Sequence, residues 1–168
     1  MIKQITAAVL LAATSFAAFS ADLPQFYVGG DVGSTKITAG DGVPSETSYG
    51  VYGGYNIDEN FAIEAGYRRL GKWTGQGGSV DVKQASVSLL AFAPVANHFA
   101  VFGRLGYNRL SGNASIDSMG DFDLGHSNSA LLGLGVSYEF SKHITGRVEF
   151  QRPDSGIHNI NMGLAFNF

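Results

Sequence analysis

The 168-residue chain contains no cysteine, which excludes a disulfide scaffold, a thiolate zinc site and a cysteine nucleophile. It also lacks a basic run, and its 11 Lys and Arg residues are outnumbered by 14 Asp and Glu residues. Nucleic acid is therefore not expected as a partner, since phosphate binding needs a concentrated basic surface. With 45% hydrophobic residues, however, the chain is too apolar to stay disordered, and we expect one folded domain.

The first twenty residues differ in composition from the rest. Lys3 is followed by an uncharged segment, 5–19, that consists mostly of Ala, Leu, Val and Phe. This segment is short for a membrane span of about 20 residues, and Ala18 and Ser20 suit the small-residue positions of a cleavage site. We predict a signal peptide over 1–20 and a mature domain over 21–168, with a retained N-terminal anchor helix as the alternative. Export also fits the missing cysteines.

Beyond residue 21, hydrophobic residues recur at every second position, which is the period of a β-strand and not of a helix. Phe61, Ile63 and Tyr67, for example, alternate with Glu64 and Arg68. The same alternation recurs in seven further segments. The predicted strands lie at 26–36, 48–57, 60–70, 79–92, 98–111, 127–140, 143–152 and 157–168.

The connections between these strands alternate between long and short. Short turns lie at 58–59, 94–97 and 141–142, and longer connections rich in Gly, Ser, Thr and Asp lie at 37–47, 71–78 and 112–126. Transmembrane barrels show this asymmetry, with short periplasmic turns and longer extracellular loops. The sequence therefore predicts an all-β, eight-stranded antiparallel up-and-down transmembrane β-barrel with both termini in the periplasm.

The two faces of the predicted strands differ in chemistry. The apolar parity, which includes Leu105 and Leu134, is assigned to lipid, and aromatic residues gather near both strand ends as two interfacial belts would. The other parity carries charges of both signs, which a low-dielectric interior favours as ion pairs. A water-soluble barrel or sandwich that buries the apolar parity is the alternative. The predicted lumenal ion-pair residues are Glu64, Arg68, Arg104, Glu139, Arg147 and Glu149.

Several motifs in the C-terminal third occur in a characteristic order. A glycine-rich strand, Gly133–Phe140, is followed after a short turn by Thr145–Phe150, which contains an Arg-x-Glu sequence, and later by Gly163–Phe168. Over residues 26–168 the chain resembles the small outer membrane β-barrels of the outer membrane protein A type.

This resemblance carries expectations about individual residues. It implies that Glu139, Arg147 and Glu149 lie in the lumen, with Glu64 as a further carboxylate. It also implies that Phe168 belongs to the terminal signal read by the barrel assembly machinery of the outer membrane. Larger relatives add a peptidoglycan-binding domain after the barrel, an activity that the barrel residues alone do not imply.

One grouping suggests catalysis. His126 lies beside Ser127 and Ser129, so a base and two nucleophiles for ester hydrolysis are close in sequence. Outer membrane lipid A deacylases use such a pair in a His-x-Ser motif, but position 128 is Asn, and strand alternation directs Ser127 away from His126. We therefore do not expect an enzyme.

An acidic segment, which contains Asp117, Asp121 and Asp123, has the oxygen ligands that a divalent cation prefers. Solvated loop carboxylates are the simpler interpretation. We expect neither a metal ion nor a cofactor.

The sequence predicts a monomeric outer membrane protein with a structural or surface-interaction, adhesin-like role that depends on its extracellular loops. Its expected partners are outer membrane lipid and lipopolysaccharide, the barrel assembly machinery, and a host or cell-surface ligand. A wide pore is not expected, because an eight-stranded barrel encloses little more than its own side chains. Two alternatives stay open: a low-conductance pore gated by lumenal ion pairs, and a lipid A-modifying hydrolase.

Overall fold

The computed structural model describes residues 25–38, 44–75, 78–116 and 120–168, so the predicted signal peptide lies outside the described residues. Eight antiparallel strands close into a barrel in chain order, and the predicted fold is confirmed. Among the described residues, no helix is long and apolar enough to cross a membrane. The strands are β1 (Phe26–Ile37), β2 (Glu46–Asn56), β3 (Phe61–Gly75), β4 (Gly78–Ala96), β5 (Phe99–Ile116), β6 (Gly120–Ser141), β7 (Ile144–Asp154) and β8 (Ile157–Asn167).

The outer surface of the barrel is apolar. Leu134 on β6 is 63% exposed and Leu105 on β5 is 61% exposed, whereas Glu64 on β3 is only 2% exposed. Large apolar side chains exposed over a whole barrel wall are expected where hydrocarbon, and not water, surrounds the protein. The predicted orientation of the two parities agrees with this arrangement.

The barrel is much taller on one flank. Strands β3 to β6 contain 15 to 22 residues, whereas β1, β2, β7 and β8 contain 11 or 12. We call the end with the turns after β2, β4 and β6 the turn end and the opposite end the loop end. The surplus length lies at the loop end, where β3 pairs with β4 as far as Gly75 and Gly78, and β5 with β6 as far as Ile116 and Gly120.

This extension corrects the predicted connections at 71–78 and 112–126, which are largely strand. Their Gly, Ser and Asp residues indicated loops, but the antiparallel ladder is made by backbone groups and needs no apolar face. In the described part of the chain, Gly120–Leu131 of β6 pair with β5 alone, with a register shift at residues 124–125, because the pairing with β7 starts at Leu132. At about 3.3 Å per residue, this segment measures roughly 40 Å along the strand. We call residues 70–75, 78–83, 110–116 and 120–131 the sheet extension.

Inside the barrel, aromatic rings pack over glycines of the neighbouring strand. Tyr27 pairs across β1 and β2 with Gly54, and Phe102 pairs across β5 and β6 with Gly135. A Cβ atom on Gly135 would lie 2.6 Å from Cζ of Phe102, and one on Gly54 would overlap the ring of Tyr27. Glycine is therefore needed at these positions so that each ring can lie against the wall.

Candidate functional site: a lumenal ion-pair network

Glu64 of β3 lies in the barrel interior and accepts hydrogen bonds from three side chains. Arg147 of β7 donates through Nη1 at 2.6 Å, Arg104 of β5 donates through Nη2 at 2.8 Å, and the Tyr27 hydroxyl of β1 donates at 3.0 Å. Because Glu64 is almost inaccessible, the two guanidinium groups, and not water, balance its charge. Glu64 thereby joins β1, β5 and β7 across the lumen.

Arg104 also binds a second carboxylate. Its Nε and Nη2 donate to the two oxygens of Glu149 at 2.6 and 3.1 Å, which is a bidentate geometry. Glu149 on β7 has 0% exposure. Arg104 is therefore shared between Glu64 and Glu149, and the charges form a chain and not isolated pairs.

Asp31 of β1 forms the other part of the network. Its Oδ2 accepts a hydrogen bond from Arg68 Nη2 at 2.6 Å and lies 3.9 Å from Arg147 Nη2. Arg68 also donates to Asn159 at 2.8 Å. The predicted set omitted Asp31, although the strand parity of β1 already placed it on the inner face. Its inclusion gives the network three arginines and three carboxylates.

The structure places Glu139 outside this network. Its strand parity is inward, but it lies near the turn end of β6, is exposed, and makes no salt bridge within the described ranges. There it lines a cavity of about 480 Å³ together with Lys142 and Tyr27. The physical reason is depth: near the end of a strand the lumen opens to water, so a carboxylate is solvated and does not need a cation.

The ion-pair layer leaves almost no free space. The guanidinium carbon of Arg147 lies 3.5 Å from the ring centroid of Tyr52, and the adjoining cavity, also lined by Asp31 and Gln84, measures about 20 Å³. Asp31 Oδ1, Gln84 Nε2 and Arg147 Nε have no hydrogen-bond partner among the residues that the structure describes. A cavity of this size has room for a single water molecule. The bore is therefore closed at this level.

Further side chains are buried in the lumen on the loop-end side of the arginines. Leu70 of β3, Leu110 of β5 and Leu131 of β6 are buried, and so is Pro153 of β7. Asn108 Nδ2 of β5 donates a hydrogen bond to the Pro153 carbonyl at 2.8 Å and thereby links this end of β7 to β5. Gln84 of β4, which lies directly opposite Leu110, is buried as well. The lumen on this side of the ion pairs is therefore filled by apolar and polar side chains together.

The other candidates do not assemble into a site. His126 and Ser127 are both exposed on β6, and as adjacent strand residues they point to opposite faces. Asp117 and the side chains of Asp121 and Asp123 lie outside the described part. In the ranges that are described, no group of three or more His, Asp or Glu side chains could hold a metal ion.

Phe168, the predicted assembly signal, lies at the seam where β8 closes on β1. Its backbone N–H donates to the Phe26 carbonyl at 2.9 Å, and its own carbonyl accepts from the Phe26 N–H at 3.3 Å. The rings of Phe166 and Phe168 lie 5.9 Å apart. Recognition of Phe168 by the assembly machinery stays a prediction.

A closed barrel with an apolar outer wall and an enclosed, charge-balanced lumen defines the class of transmembrane β-barrels. The family model for the outer membrane protein beta-barrel domain matches residues 6–168, so the chain belongs to this family and is embedded in the outer membrane. The predicted resemblance to the outer membrane protein A type and the predicted location are confirmed.

Individual relatives agree with this assignment. Outer membrane protein A of Yersinia pseudotuberculosis serotype I (strain IP32953) is 26% identical over 99% of this chain and 56% of its own length, so the chain spans little more than half of that relative. The fold is similar to Neisserial surface protein A, with a TM-score of 0.67 and 18% identity over 85% of this chain and 97% of that chain. It is also similar to Ail, the attachment invasion locus protein of Yersinia pestis, in complex with the heparin analogue sucrose octasulfate, with a TM-score of 0.59 and 12% identity over 86% and 97% of the two chains.

Proposed function

We propose that this chain is a monomeric, non-enzymatic surface-interaction protein whose loop end faces the cell exterior and binds a host or cell-surface ligand. The observation that carries the proposal is the contrast between a sealed lumen and a tall sheet extension. A barrel that transports would keep its bore open, whereas this interior is filled by ion pairs and leucines. The extension instead presents a large backbone-stabilised surface that starts at the membrane interface and continues beyond it.

The similarity to Ail supports this interpretation at the level of the fold. Ail is an attachment invasion locus protein, and one structure shows it with a heparin analogue bound. A small barrel of this architecture can therefore carry a ligand. We propose that the ligand surface of this chain lies on the hairpin of β5 and β6, because that hairpin contains the two longest extension segments.

Deletion of a hairpin tip tests the proposal. Removal of residues 113–124 joins Gly112 to Gly125, and a control deletion of residues 74–79 joins Trp73 to Val80, which face each other across β3 and β4. Cells that display each variant are compared with cells that display the parent for adhesion to host cells. We expect the 113–124 deletion to abolish adhesion while the control retains it. Equal adhesion of parent, both deletions and cells without the barrel would refute the surface role.

A low-conductance pore is the second candidate, because Arg147 binds Glu64 and also lies 3.9 Å from Asp31. We infer that a guanidinium between two carboxylates can exchange partners, and such an exchange could open a narrow path. Planar bilayers test this function: discrete conductance steps that change in Arg147→Ala would support the pore. Silent membranes for both the parent and this variant would remove it.

A further inference from the structure

The basic residues outside the lumen are concentrated at one end of the barrel. Three arginines lie in the ion-pair network, Lys142 lies in a turn at the turn end, and Lys3 lies outside the described residues. Every other lysine or arginine lies toward the loop end on the outward parity of its strand. These residues are Lys36, Arg69, Lys72, Lys83, Arg109 and Arg152.

Four of these residues lie on adjacent strands, and we call Arg69, Lys72, Lys83 and Arg109 the rim cluster. Arg69 of β3 lies directly opposite Lys83 of β4. Arg109 of β5 lies opposite Ala85, which places it diagonally next to Lys83. Directly opposed side chains have Cβ atoms about 4.5–5.5 Å apart and diagonal neighbours about 7–8 Å, and like charges at such spacing repel. An anion between the members of such a cluster relieves this repulsion.

The protein supplies only part of the compensating charge. Asp81 accepts hydrogen bonds from Arg69 Nε at 3.0 Å and Nη2 at 2.8 Å, and Arg69 Nη1 donates to the Tyr49 hydroxyl at 3.1 Å. Lys83 and Arg109 make no salt bridge with any residue in the described ranges. Asp81 also lies directly opposite Lys72, so within the described ranges one carboxylate faces four cations, of which Arg69 alone forms a salt bridge with it.

The height of the cluster indicates what kind of anion it meets. Tyr67 and Tyr107 lie two residues before Arg69 and Arg109 on the same outward faces, and both tyrosines are exposed. Outward tyrosines mark the boundary between hydrocarbon and lipid headgroups where an apolar wall gives way to charged residues, as it does after Tyr67 and Tyr107. The rim cluster therefore lies at headgroup level, and its side chains point toward lipid and not toward the lumen.

We propose that the rim cluster binds the phosphate groups of lipid A, the phosphorylated glycolipid of the outer leaflet. Arg109 provides a planar fork of N–H donors that matches phosphate oxygens, and Lys72 and Lys83 provide point charges on flexible stems. Clustered basic side chains at a membrane interface also bind anionic headgroups by electrostatic attraction. The proposal rests on the proposed orientation, in which the loop end faces the outer leaflet.

Binding of lipid A to the purified, folded barrel in phosphatidylcholine nanodiscs tests this proposal. Lipid A is compared with lipid A from which both phosphates have been removed. We expect the Lys83→Gln, Arg109→Gln double variant to bind lipid A about tenfold or more weakly than the parent, since two charge-assisted contacts are lost. The control Lys142→Gln removes a cation at the turn end and should bind like the parent.

Two results would overturn the proposal: equal affinity of the double variant and the Lys142→Gln control, or equal affinity of the parent for intact and dephosphorylated lipid A. Heat-dependent gel mobility shows whether each variant is folded. If the double variant does not fold, the parent alone tests the proposal. Its affinity for lipid A must then fall as the salt concentration rises, because salt screens the attraction between phosphates and cations. The 113–124 deletion contains no rim-cluster residue, so a failure of the adhesion proposal leaves this assay unaffected.

Discussion

Glu64 has an unusual position among the residues of this barrel, because its single negative charge is shared by two arginines. Arg104 and Arg147 each bind it within 2.8 Å, and Tyr27 donates to the same carboxylate. Three arginines and three carboxylates make the described network neutral as a whole, but each member depends on the others. Loss of one charge leaves a neighbour buried and uncompensated.

The substitution Glu64→Gln is expected to destabilise the folded barrel by about 3–5 kcal/mol, because two buried guanidinium groups lose a common counter-charge. Unfolding in urea, with the barrel in lipid vesicles and Trp73 as the fluorescent probe, measures the change. The matched control Glu139→Gln alters an exposed carboxylate and should stay within about 0.5 kcal/mol of the parent. Equal losses for both variants would show that the network does not stabilise the fold.

At the scale of strands, hydrophobic alternation predicted where each strand runs and which face each residue occupies. It could not predict how far the strands continue beyond the membrane, because polar residues occupy both faces there, as Ser127 on the inward face and Asn128 on the outward face illustrate. Alternation also shows which face of the sheet a residue occupies, but not how deep the residue lies in the barrel. Glu139 and Glu149 were therefore both predicted as lumenal ion-pair residues. Which carboxylate meets which arginine depends on the stagger of the strands around the barrel, and no single strand contains that information.

Pairing between aromatic residues and glycines joins neighbouring strands, and Gly135 on β6 offers a direct test. The substitution Gly135→Val should destabilise the barrel by about 1–3 kcal/mol, because a side chain there would collide with the Phe102 ring and with the Val148 carbonyl. The control Gly103→Val adds the same group on the outward face of β5, where no atom of the described part of the chain lies within 4 Å of the added Cβ. Urea unfolding measures both variants, and a smaller loss for Gly135→Val than for the control would contradict the packing argument.

At the scale of the whole molecule, lipid replaces water as the solvent of the outer wall. Leu134→Arg is therefore expected to cost about 2–4 kcal/mol, since a charge near the middle of the lipid-facing wall must be taken into hydrocarbon. The control Thr47→Arg lies on the outward face of β2 near the loop end, where the cost should fall to about 0–1 kcal/mol. Unfolding from vesicles measures both costs. Full tolerance of Arg at position 134 would mean that this wall does not face lipid.

Closure of the barrel also has a direct consequence for gel electrophoresis. The complete ladder from β1 to β8 should keep the unheated protein compact in detergent, so that it migrates differently from the heated chain. Weakening the seam by Phe168→Pro removes the N–H that donates to Phe26 and should lower the temperature at which the two bands interconvert. An unchanged interconversion temperature would show that the seam is not where the barrel first opens.

The tall strands β3 to β6 are neighbours, so the protruding surface occupies one flank of the cylinder and leaves the flank of β7, β8, β1 and β2 low. As the barrel rotates about the membrane normal, this flank therefore faces only one direction in the membrane plane at any moment. Binding of a soluble ligand is compatible with this rotation. Binding of a second membrane protein to the flank fixes the relative orientation of the two proteins. Attachment within the plane of the membrane should consequently slow rotational diffusion, whereas capture of a ligand from solution should leave it nearly free.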